Sequence, residues 1–158
     1  MAGKRLARRL LTVLLSLCMA LTGVGIVTQH PYQYAYEQPV VRLLTGQDDL
    51  ERDYWNVSVL NALEALAGRT EGEIVIAPAD LWARAGLENA LYVMEPRLRQ
   101  RFIPTEGAAE YVLSNPTYAL FSGWEPSEGL EEAVTIRAYG RTLMRIDRDR
   151  AWKKEKGE

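Results

Sequence analysis

Eighteen consecutive residues without a charge or a proline, Leu10 to Val27 (LLTVLLSLCMALTGVGIV), constrain this chain more than any other feature. At 1.5 Å rise per helical residue the run spans about 27 Å, close to the roughly 30 Å of a bilayer's hydrocarbon core. Lipid cannot hydrogen-bond to free backbone N–H and C=O groups, so such a segment must be helical. Lys4, Arg5, Arg8 and Arg9 precede it, and basic flanks stay on the cytoplasmic side. The expected layout is a basic cytoplasmic start (1–9), a single transmembrane helix (10–27), a juxtamembrane connector (28–52), an extracytoplasmic α/β domain (53–150) and a charged tail (151–158). His30, Tyr32, Tyr34 and Tyr36 follow the helix as an interfacial belt, and the lipid bilayer is the first expected partner.

A secretory signal peptide is the rival reading, with Gly23 and Gly25 around Val24 as a small-residue exit. The length of the apolar run and the tyrosines after it favour retention. A lipoprotein signal is excluded, because Leu17 rather than a small residue precedes Cys18. Thr12, Ser16 and Ala20 recur every fourth position, a stripe that lets membrane helices approach closely but that also arises in ordinary leucine-rich helices.

Charge is divided unevenly over the 158 residues. The 19 cations less the four before the apolar run leave 15 against 21 acids, a net of −6 for the remainder. An acidic domain does not suit nucleic acid, which needs a basic face. Cys18 is the single cysteine, which excludes an intrachain disulfide and a cysteine-based zinc site. No metal and no cofactor are implied.

Beyond the connector, Val59, Leu60, Leu63, Leu66 and Ala67 follow helical spacing. Asn56 or Ser58 is expected to cap that helix, and Gly68 to end it in a left-handed turn. Glu73–Ala77 predicts a short strand, apolar on both faces. Pro78-Ala79-Asp80 ends it and starts a helix over about 81–94, in which Gly86 costs about 1 kcal/mol relative to alanine. Leu98–Ile103 alternates like a half-exposed strand, Glu110–Leu113 predicts another, and Asn115-Pro116 turns the chain. Ala133–Ala138 and Thr142–Ile146 flank Tyr139-Gly140-Arg141, a hairpin signal. The expected class is α/β or α+β: one amino-terminal transmembrane helix, then a small mixed β-sheet covered by helices.

Two segments carry a family likeness. His30-Pro31-Tyr32-Gln33-Tyr34-Ala35-Tyr36, directly after a membrane helix, resembles the HPYxYxYF element of polytopic bacterial glycosyltransferases similar to dolichyl-phosphate-mannose protein mannosyltransferases (glycosyltransferase family 39). Asp53-Tyr54-Trp55, leading into an amphipathic helix that ends Glu64-Ala65-Leu66, resembles their DYWGLSYREALEWL stretch. Ile136–Gly140 and Met144–Ile146 resemble their final strands more weakly. The likeness covers nearly the whole chain, with departures: Glu37 and Gln38 replace the expected phenylalanine and asparagine, and Asn56 replaces the glycine after Trp55. The family's catalytic acid lies near its first membrane helices, so no catalytic residue carries over. The resemblance implies a noncatalytic terminal or accessory domain, with a polytopic membrane glycosyltransferase as candidate partner.

The residues' own chemistry is consistent with that expectation. His30 is the single histidine, no G-x-S-x-G occurs, and no glycine-rich phosphate loop is present. Gln47–Asp53 lacks calcium-loop spacing, and Asn56-Val57-Ser58 is a formal glycosylation sequon. Asp53, Tyr54 and Trp55 are the candidate ligand-binding residues: the carboxylate either caps the helix or holds a polar sugar beside aromatic rings. Trp82 and Trp124 could extend such a surface or fill the core. A freestanding extracytoplasmic or secreted ligand-binding module, with carbohydrate as its candidate ligand, is the alternative function.

Overall fold

The computed structural model describes residues 2–28, 30–32, 56–116, 128–138 and 141–152. The chain divides into two compact units, Met1–Gln33 and Tyr34–Glu158. The first contains α1 (Ala2–Thr28), a 27-residue helix whose described side chains are nearly all exposed. It is the one described helix long and apolar enough to cross a membrane. It begins eight residues before the apolar run, because Lys, Arg, Leu and Ala are all strong helix formers. Inside it the Thr12, Thr22 and Thr28 hydroxyls donate to the carbonyls of Arg8, Cys18 and Val24. Those polar side chains are therefore satisfied within the helix itself.

The second unit is a mixed five-stranded sheet with two main helices, as expected. Its elements are α2 (Val57–Ala67), β1 (Ile74–Pro78), α3 (Leu81–Val93), a single turn α4 (Pro96–Arg99), β2 (Phe102–Pro104), β3 (Tyr111–Ser114), β4 (Leu130–Ala138) and β5 (Arg141–Asp149). Strand order is β2-β1-β3-β5-β4. The β2–β1 and β1–β3 pairs are parallel, whereas β3–β5 and β5–β4 are antiparallel.

Side chains alternate across the sheet, and one face carries the core. Ile74 and Ile76, Phe102, Tyr111 and Leu113, Val134, and Met144 and Ile146 pack there with Val59, Leu63 and Leu66 of α2 and Leu87 and Ala90 of α3. At about 1.5–3 kcal/mol for each large apolar side chain buried, this layer is the main source of stability.

Several local expectations need correction. Leu98–Ile103 is not a strand. Pro96 occupies the first helical position, the Glu95 carboxylate accepts from the Leu98 N–H at 3.1 Å, and the resulting turn leaves only Phe102–Pro104 extended. Gly68 is right-handed (φ −71°), and the left-handed glycine comes later, at Gly72 (φ 76°). Glu64 O and Leu66 O accept from Gly68 N–H and Arg69 N–H, and the Arg101 guanidinium donates to Ala67 O, the last carbonyl of α2, and to Thr70 O and Gly72 O of the loop after it, at 2.9, 2.6 and 2.9 Å. The hairpin strands are longer than expected, and residues 139 and 140 between them lie outside the described residues.

Among the described residues β4 borders the sheet, pairing only with β5. Its register shifts twice, between Glu132 and Val134 and between Ile136 and Arg137. The carbonyl of Ala133, in the first irregularity, accepts from Arg69 at 2.9 Å.

Candidate functional site

In an open sheet with parallel strands, ligands favour the carboxyl ends of strands where the chain order reverses direction. Here β1 is that point, since β2 lies on one side of it and β3 on the other. The strand ends at Pro78, and the next backbone group continues the parallel ladder: Ala79 N–H donates to Leu113 O at 2.8 Å. Asp80 then caps α3, its carboxylate accepting from Ala83 N–H at 2.8 Å. This is the helix start the sequence predicts, and the carboxylate also suits the helix dipole.

Beside it β3 ends in Ser114, followed by Asn115, both fully buried. The Asn115 amide donates to the Asn56 side-chain carbonyl at 3.4 Å, which brings the start of α2 to the same edge. Asn56 does not cap α2 through its side chain, contrary to expectation. It sits in the left-handed region (φ 52°), the only non-glycine with positive φ among the described residues, and its backbone carbonyl takes the Val59 N–H. Ser58, also fully buried, completes this first turn.

Gly86 explains why α2 can start here. A Cβ at that position would lie 2.9 Å from Asn56 Cγ and 3.0 Å from Val59 Cγ2, so the glycine in α3 admits the first turn of α2. Two helix amino termini, each partially positive, thus share one edge with Asn115. Around them Val57, Leu81 and Trp82 are exposed, Trp82 at 48%. A separate open cleft of about 240 Å³ lies at the ends of β1 and β2, between Pro78, Arg84, Leu87, Pro104 and Glu106. It is bridged by the exposed Arg84–Glu106 pair at 2.7 Å and is smaller than usual small-molecule pockets of roughly 300–1,000 Å³.

The sheet face away from α2 and α3 is more polar than the sequence suggests. Ser114 on β3 and Thr135 on β4 both pair with Arg145 of β5, so all three side chains share that face with Asp147. Asp147 is fully buried, and its Oδ1 accepts from Arg145 Nε at 2.6 Å. Among the described residues, the buried Ser114 Oγ, Thr135 Oγ1 and Asp147 Oδ2 have no hydrogen-bond partner. Further along, Arg148 pairs with Glu110 at 2.8 Å. Burial first, and the Glu110 carboxylate next, push the Tyr111 phenol above its ordinary pKa. The exposed Glu131 carboxyl is held below its ordinary value by its hydrogen bond from Arg150.

The candidate ligand residues Asp53, Tyr54 and Trp55 lie outside the described residues, as do Tyr34, Tyr36 and Trp124. Of the interfacial set, His30 is exposed and Tyr32 half-buried. Among the described residues no three His, Cys, Asp or Glu side chains converge as metal ligands. Ser58, Gly86, Asn115 and Asp147 were not singled out by function, yet the Ser114-Asn115 ending of an apolar strand was a usable signal. Comparison of the chain with protein-family models, with curated proteins and with solved structures finds no match.

Proposed function

We propose that this chain is a noncatalytic extracytoplasmic domain on a single membrane helix, accessory to, or detached from, a glycosyltransferase that uses lipid-linked sugars. The basic flank of α1 sets the amino terminus in the cytoplasm, and the sheet domain lies outside. The start of α2 carries the reading. Asn56 stands where the resembling family has glycine, and it holds the left-handed conformation that glycine adopts freely and asparagine tolerates best among the rest. The departure thus falls on a left-handed residue, a position that a glycine would also suit, directly after the Asp53-Tyr54-Trp55 motif. Gly86 and Asn115, packed against that turn, give further support. The test is purification of a carboxy-terminally tagged chain from its host's membranes in mild detergent. Capture of a polytopic glycosyltransferase supports the accessory role; recovery of the free chain alone overturns that role and leaves only a detached domain.

A second reading, a ligand-binding module, is favoured by Trp82, whose exposed ring stands at the α3 start beside the buried polar edge. Aromatic faces of this kind can stack on sugars. Glycan-array binding that disappears in Trp82→Ala supports it, and an array without signal removes it.

A further inference from the structure

The basic segment before the apolar run is not a loose leader: it is helical from Ala2, continuous with the span. At 100° per residue, positions 4, 5, 8 and 9 fall within an arc of about 140°. Lys4, Arg5, Arg8 and Arg9 therefore form one cationic face, while Leu6, Ala7 and Leu10 lie on the other side. All four cations are exposed. The first acid of the sequence is Glu37, so the Met1–Gln33 unit holds four cations and no carboxylate side chain. The first turn of α1 contains no acid either, which leaves the positive end of the helix dipole uncompensated. Neighbours at i, i+4 place their Cβ atoms roughly 5–6 Å apart, a spacing at which two cations can flank one phosphate.

We propose that this face is a binding site for anionic phospholipid headgroups, so that α1 gathers such lipids on one side rather than merely spanning the bilayer. The inference rests on the membrane-anchor reading above. Charge complementarity identifies the occupant: the anion must come from outside the unit, at the depth where α1 leaves the hydrocarbon. The gathering of cations on one side adds what a net-charge argument lacks, since a diffuse attraction does not depend on which side of the helix carries them.

The experiment uses the full chain in nanodiscs, with spin-labelled phosphatidylglycerol and phosphatidylcholine as probes of immobilised lipid. Carbonate extraction from membranes is read first; a chain that washes off fails the anchor reading and this inference together. For the retained chain, phosphatidylglycerol should associate at least about fivefold more strongly than phosphatidylcholine, the effect of one surface cation. The preference should vanish in K4Q/R5Q/R8Q/R9Q. It should also fall in the charge-matched variant L6R/A7R/R8A/R9L, whose four cations encircle the helix. Equal association of the two lipids, or a charge-matched variant that keeps the full preference, overturns the proposal while leaving the anchor intact. Loss of the preference in the presence of inorganic phosphate would reassign the face to the free anion.

Discussion

Gly86→Ala is the sharpest probe of how the candidate site is built. In an exposed helix this change stabilises, because glycine costs about 1 kcal/mol relative to alanine. At Gly86 the added methyl would meet Asn56 Cγ at 2.9 Å, Asn56 Cβ at 3.0 Å and Val59 Cγ2 at 3.0 Å. Val59 is fully buried and cannot swing out, and Asn56 is held by Asn115. Overpacking of this kind costs about 1–3 kcal/mol, so the net expectation is a loss of about 1 kcal/mol. For a unit of this size that corresponds to a fall in Tm of about 3–5 °C. The assay is urea and thermal unfolding of the full chain in mild detergent, followed by tryptophan fluorescence. Ala85→Gly, on the exposed side of the same helix, calibrates propensity and should cost about 1 kcal/mol. If Gly86→Ala raised stability by the amount Ala85→Gly lowers it, the close approach of α2 to α3 would be refuted.

Other outcomes follow from single contacts. Arg101→Lys keeps the charge but loses the fork that serves three carbonyls, and should destabilise by about 1–3 kcal/mol in urea titration; an unchanged midpoint would show the clamp to be dispensable. Asp80→Ala should cost about 1 kcal/mol while Asp80→Asn retains most of the cap, and equal losses would point to charge rather than the hydrogen bond. The raised Tyr111 pKa gives an alkaline dependence: folding is fully supported below the ordinary value of 10.0, and support is lost as pH rises through the higher folded value. Tyr111→Phe should therefore flatten the stability profile above about pH 10, and a profile that keeps its slope would exclude this phenol as the cause.

Legibility in the sequence tracked the range of the interaction. The apolar run, the i, i+3, i+4 spacing of Val59 to Ala67 and the Asp80 cap are local signals, and each element formed where expected. The Leu98–Ile103 alternation misled because Pro96 and Glu95 favour a turn, and because Arg101 is recruited by carbonyls some 30 residues earlier in the chain. Gly86 read as a flaw in a helix, since its justification lies in Asn56 and Val59 on another helix. The buried polar residues were least visible. Asp147 sits in a run of charges typical of solvated strands, and only the pairing of β5 with β3 and β4 places it inside. Ser58 and Asn115 likewise become a site only once two distant segments reach one edge.

The border strand β4 bears on how copies of this chain can coexist. Nine residues of strand with no second neighbour among the described residues are long enough to template growth by a neighbour, which is how sheets polymerise into fibres. Two register shifts break the even spacing such growth requires, and Arg69 already occupies the Ala133 carbonyl. On the proposed membrane anchor, confinement would replace dilution and raise the frequency with which copies meet. The irregular border thus works against the fusion of neighbouring sheets. Arg69→Ala should expose that hazard first, as slow aggregation of a chain that still folds.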